Sequence, residues 1–418
     1  MNQLKFYYFI SIIAFILFGN ISIASAAYTG YCTTSQDITD LPPGHWCEVP
    51  NSNARSVEKK PQEYNDWNGS SSAAYDSFQR SMGFEAIMHN WNGGAFDSFR
   101  DRLLIFGGGH NGYGGNEILA FDLKTLRWTR LTDPTPYSNR HPNYQNDDNT
   151  PISRHSYGSL EYIEHTDRFF VFGGSPDSQT GDCGIRGTWT FNLSAREFSG
   201  NYSPEQWELK TTNTPSSNCD DNAVYDPVSG RIYYHYGPSP SGWSSYDFNS
   251  NTWKNHNYSG AYEGVRTVIP GERRFIVEFG NGRYQGYAKF DLNSSELTRT
   301  IITTTGDKSM EQANDPGAAY DWSSDRIVAW DGGDTVYSLD VATNKWYQHP
   351  AANTNLANPG SVQAVGGTFG RFRYSKNLNV FVVVDHVDEN VFLYRFAKGS
   401  GIFTPSDSDP NAPELQVK

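Results

Sequence analysis

The run from Phe106 to Leu119, FGGGHNGYGGNEIL, sets one imidazole, His110, among glycines. A second polar group follows at RHSYG, where Arg154, His155 and Tyr157 fall within four positions. An imidazole or phenol base beside a guanidinium is what abstraction of the proton α to a uronate carboxylate requires. The base takes the proton while the cation holds the carboxylate as the carbon acid strengthens. His110, Arg154, His155 and Tyr157 are therefore the candidate catalytic residues, and polysaccharide lyase or sugar epimerase is the matching reaction type. The competing structural reading makes Arg154 and His155 the polar start of a strand, bonded to neighbouring loop carbonyls.

The glycines themselves do not mark a phosphate site. No GK[ST] follows them, and a strand rather than a helix comes next, so neither a Walker loop nor a dinucleotide turn fits. His386 lies in DHVDEN with Asp385 and Asp388. These residues and His110 have metal-ligating types, but the run is equally a solvated loop, so no metal is assigned and no cofactor is identified.

The elements that must position these groups are strands. Aromatics make up 15% of the chain and 39 glycines punctuate it, a composition that favours strands and turns over helices. An eight-residue frame recurs as FDLKTLRW ending at Trp128, FNLSAREF at Phe198, YDFNSNTW at Trp253, FDLNSSEL at Leu297 and LDVATNKW at Trp346. Before each copy stands a strongly β run that ends at or near glycine, such as RLLIFGGG or RFFVFGGS, and before that a shorter strand with a polar turn. Four antiparallel strands per unit, lettered a to d, make a propeller blade.

The blades span about 86–131, 154–210, 221–257, 265–303, 316–349 and 369–398. The sixth lacks a fourth strand, and residues 44–50, GHWCEVP, can supply it and so remove the open edge. The expectation is an all-β, six-bladed propeller over 27–402 closed by an N-terminal strand, with seven blades as the alternative and 403–418 a polar tail. Because strand direction alternates, the b–c loops and the d–a connections share one face. That face collects the candidate ligand-binding residues Asn111, Tyr113, Asn116, Arg140, His141, Arg266, Arg283 and Arg371.

Gly-Gly after strand b and Trp on strand d, clearest at Gly107 to Gly109 with Trp128 and at Gly173-Gly174, with Gly332-Gly333 and Trp346 a third match, resemble kelch repeats of the galactose-oxidase type. Blades three and four depart, with a single glycine in HYGP and EFGN. The resemblance implies the fold more firmly than any activity. Galactose oxidase holds copper with two Tyr and two His beside a Tyr–Cys crosslink. No such arrangement maps here, so copper oxidation is not expected. Bacterial sialic acid mutarotases are similar in architecture, without a motif that maps residue by residue.

Lys5, an apolar run from Phe6 to Phe18 and Ala24-Ser25-Ala26 read as a secretory signal over 1–26, so the mature chain is expected to be secreted or periplasmic. No later run is apolar enough to span a bilayer. In an oxidising compartment the four cysteines are expected to pair as Cys32–Cys47 and Cys183–Cys219. A net charge of −13 without a basic run excludes nucleic acid as a partner. The resulting expectation is a monomeric propeller that binds a glycan, acidic by its arginines, at the b–c/d–a face. The alternative is a non-enzymatic scaffold that binds a protein there.

Overall fold

The computed structural model describes residues 27–59, 80–109, 112–135, 145–176, 185, 187–194, 204–217, 219, 222–236, 242–256, 264–271, 273–280, 286–294 and 297–396. Six four-stranded antiparallel blades form a closed ring. The innermost strands are Gly94–Asp97, Leu160–Ile163, Asn222–Asp226, Val265–Ile269, Gly317–Asp321 and Phe372–Ser375, each beside the next and the last beside the first. Blade five carries an additional outer strand, Thr305–Gly306, parallel to Lys345–His349.

The recurring frame is the c–d hairpin. Its Asp or Asn caps the turn: Asp122 Oδ1 accepts the backbone N–H groups of Lys124 and Thr125, each at 2.8 Å, and Asp340 Oδ1 does the same for Ala342 and Thr343 at 2.9 and 3.0 Å. The frame's two bulky ends face each other across the hairpin, as Phe121 with Trp128, Tyr246 with Trp253 and Leu339 with Trp346.

Two copies differ from the eight-residue expectation. In blade two the partner of Phe191 is Trp207, not Phe198, and in blade four Phe290 faces Arg299, two positions beyond Leu297. In each, extra residues lengthen the c–d connection and the hairpin slides to a later partner. In blade two that partner is an aromatic residue that fills the same place in the core, its ring 5.2 Å from that of Phe191.

Ring closure follows the expected route. Residues His45–Val49 pair antiparallel with Val391–Arg395 as the outermost strand of blade six. Trp46, fully buried, faces Tyr394 with ring centroids 4.7 Å apart, so the N-terminal strand also delivers the tryptophan that the sixth repeat lacks. Cys47 on this strand is bonded to Cys32. Cys219 is also disulfide-bonded, and Cys183 lies outside the described residues, as do the signal segment and the tail. Among the described residues no helix is long and apolar enough to cross a membrane.

Candidate site at the mouth of the ring

Three d–a connections bring an aromatic residue to the same position, three residues before an innermost strand, in consecutive blades. They are Trp91 before Gly94, Tyr157 before Leu160 and Phe369 before Phe372. All three have positive φ, 42°, 45° and 49°. Bulky side chains avoid this region, and each instance costs on the order of 1–3 kcal/mol.

The three residues form one continuous cluster. Trp91 lies over His155 with ring centroids 5.3 Å apart, His155 meets Tyr157 edge-on at 6.1 Å, and Tyr157 meets Phe369 at 5.9 Å. Gly366 fits between two of the rings: a Cβ there would lie 2.5 Å from Trp91 Cδ1 and 3.4 Å from Phe369 Cζ. Trp91 is half-buried, whereas Tyr157 and Phe369 are buried beneath the surface.

The strained backbone is held from several sides. The Tyr157 N–H donates to the Trp91 carbonyl at 2.8 Å. The Ser156 N–H donates to Asn92 Oδ1 at 2.8 Å, and the Ser156 hydroxyl donates to the Phe106 carbonyl at 3.0 Å. Gly107, at φ 151°, leaves room for Asn92, whose Oδ1 would sit 2.2 Å from a Cβ. The glycines of the b–c loop thus admit the connections of the neighbouring blade.

The innermost strand of blade two begins at Leu160, so Arg154 and His155 do not start it. They pair instead with Ser175–Pro176 in a separate two-stranded ladder, which lifts RHSYG out of the blade and into the mouth. Arg154 has no exposed surface. Its Nε donates to the Ile152 carbonyl at 3.2 Å and Nη1 to the Gly173 carbonyl at 3.1 Å, while Nη2 has no hydrogen-bond partner among the described residues. Burial pushes this guanidinium down to about 9, which still leaves it cationic at neutral pH. His155 and Tyr157 are 3% and 5% exposed.

The other sequence candidates are placed as follows. The Tyr113 hydroxyl donates to buried Glu117 at 2.7 Å. Asn116 staples the connection into blade two, bonding Thr135, Thr150 and the Pro151 carbonyl. Arg266 pairs with Glu278 at 2.9 Å. Arg371 is buried among the Val384, Gly367 and Asn92 carbonyls and reaches Asp385 at 3.4 Å. His155 and Tyr157 thus meet in this cluster, the Arg154 guanidinium beside them in sequence is bonded to the Ile152 and Gly173 carbonyls, and Arg266 lines the channel below. His110, Asn111, Arg140, His141 and Arg283 lie outside the described residues.

Carboxylates are prominent on the mouth's rim. Asp331 is exposed, and the surrounding protein and the nearby Asp385 carboxylate push its carboxyl upward. Glu85, His89 and His386 bring their ligating atoms within 4.8 Å of one another. Glu85 and His89 carry a signal in the sequence, since i,i+4 spacing on one helical turn aligns two side chains. Nothing local announces that His386 joins them.

A cavity of about 340 Å³ occupies the opposite, a–b end of the channel. It is lined by Phe96, Tyr162, Tyr225, Tyr320 and Tyr374 from the innermost strands, with the Glu161–Arg373 pair at 3.2 Å. Several of these tyrosines are committed to their own turns, Tyr162 to Asp167 at 2.8 Å and Tyr374 to Asn379 at 2.6 Å. Arg154, His155 and Tyr157 do not line this cavity.

Fold and topology define a six-bladed β-propeller. No family model matches the chain, and no curated protein sequence does. Among solved structures it is similar to YjhT, at 12% identity over 80% of this chain and 99% of that one, with a TM-score of 0.47. It is also similar to a fungal alcohol oxidase of the AA5 family in complex with copper, at 11% identity over 77% and 78% of the two chains and a TM-score of 0.45. A gluconolactonase from Xanthomonas campestris aligns at 9% identity over 74% and 87%, with a TM-score of 0.44.

Proposed function

We propose that this protein is an exported propeller of the kelch type that binds a carbohydrate at the b–c/d–a mouth, with Trp91 as the plate on which a sugar ring stacks. The observation that carries this reading is the set of three aromatic residues held at positive φ and packed together there. Backbone strain concentrated at one spot is a feature of binding and catalytic sites, and a half-buried indole offers a flat apolar face beside polar groups. In the finer form of the reading the glycan is acidic and is turned over by β-elimination or epimerisation. The described arginines at the mouth, Arg154 and Arg371, are buried and bonded to carbonyls or a carboxylate.

A glycan array followed by calorimetry on the best hit tests the reading. Trp91→Ala should weaken binding roughly tenfold, in line with one aromatic contact. Trp322→Ala, at the opposite cavity, should leave it unchanged. The reverse pattern would move the site to the a–b end. Absence of any bound glycan would favour the protein-binding scaffold. An ultraviolet assay for unsaturated uronate on acidic polysaccharides decides whether binding is followed by elimination.

A further inference from the structure

We propose that Glu85, His89 and His386 form a binding site for one zinc-class divalent transition-metal ion at the rim of the mouth. Glu85 and His89 stand one turn apart, at the end of the 3-10 turn Gly83–Glu85 and of the short helix Ala86–His89 that follows it. His386 comes from the b–c loop of blade six. Glu85 Oε1 lies 3.2 Å from His386 Nε2 and 3.9 Å from His89 Nδ1. Bonds of about 2.0–2.2 Å put neighbouring ligands of a tetrahedral ion roughly 3.4 Å apart, so these two separations bracket the required value. His89 Nδ1 is shielded from solvent and has no hydrogen-bond partner among the described residues.

Two imidazoles and one carboxylate select zinc, cobalt or nickel over calcium and magnesium, which take oxygen ligands. The side chains of Glu85 and His89 are partly exposed. An ion held by these three protein ligands therefore keeps a position open to water or a ligand, as in sites that do chemistry rather than only brace a fold. Asp388 stands beside His386: its backbone N–H donates to His386 Nδ1 at 3.3 Å, and its carboxylate, 3.8 Å from the same nitrogen, is fixed by two bonds of 2.7 Å from Arg55. The backbone of His89 is pinned by the Val365 N–H, which donates to its carbonyl at 2.7 Å.

The test uses the mature chain without an affinity tag, stripped with chelator and titrated with cobalt(II) and zinc(II) in the absence of any glycan. One equivalent of cobalt should bind with visible d–d absorption and be displaced by zinc. His89→Ala and His386→Ala should each weaken binding by more than about 100-fold. Metal-free thermal midpoints serve as the folding control, and His→Asn variants replace any Ala variant that unfolds. Absence of stoichiometric binding, or affinity unchanged in both histidine variants, overturns the proposal. Since no carbohydrate is present, the outcome is independent of the glycan reading.

Discussion

Replacing Glu117 by Gln should flatten the dependence of stability on pH. Glu117 lies in the b–c loop of blade one, 1% exposed, with Oε1 accepting the Tyr113 hydroxyl at 2.7 Å and Oε2 without a partner among the described residues. Burial raises its carboxyl from 4.5 to about 7, with Tyr113 and Arg130 pulling only partly against that. The folded state therefore holds this proton more tightly than the unfolded chain does. Its contribution is complete below the unfolded value near 4.5, shrinks as pH rises, and is gone above about 7. Each unit is worth about 1.4 kcal/mol, so the full difference is on the order of 3 kcal/mol. Roughly 2–3 kcal/mol of it falls between about pH 5 and pH 8.5. Glutamine has the shape of the protonated acid and does not ionise. Denaturant unfolding of both proteins across that range, compared as a difference, isolates this group from the other carboxylates. Parallel curves for the two would refute the reasoning, because they would mean that Glu117 ionises alike in both states.

Trp91→Gly should be more stable than Trp91→Ala by about 1 kcal/mol in denaturant unfolding, the reverse of the ordinary ranking, because φ at this position is positive and only glycine adopts it cheaply. Replacing Cys32 and Cys47 by Ala opens a loop with a sequence separation of 15 and should cost about 3 kcal/mol, read by the same method under oxidising conditions. Trp46→Ala removes a fully buried indole from the closing strand and should cost about 3–5 kcal/mol, lowering the thermal midpoint.

The sequence by itself determined the repeat, the number of blades and the strand that closes the ring. Each rests on local chemistry: an Asp or Asn that caps a c–d turn, glycines that accept positive φ after strand b, and a hairpin that pairs one bulky residue with another. The same local frame misplaced the last strand in blades two and four, since a longer c–d connection moves the partner to Trp207 or Arg299 without altering the residues that start the hairpin. Only the tertiary structure decided what the ring's mouth contains. Trp91 and Phe369 look ordinary along the chain, Tyr157 stands out only as part of RHSYG, and their shared position before three innermost strands becomes a site only when closure sets blades six, one and two side by side. The arginines show the same limit. Sequence registers their charge, but only burial against carbonyls and carboxylates shows that Arg266 and Arg371 are already committed. Glu85 and His89 meet His386 because the closing strand returns the chain to blade six, a contact that no pattern within either segment encodes.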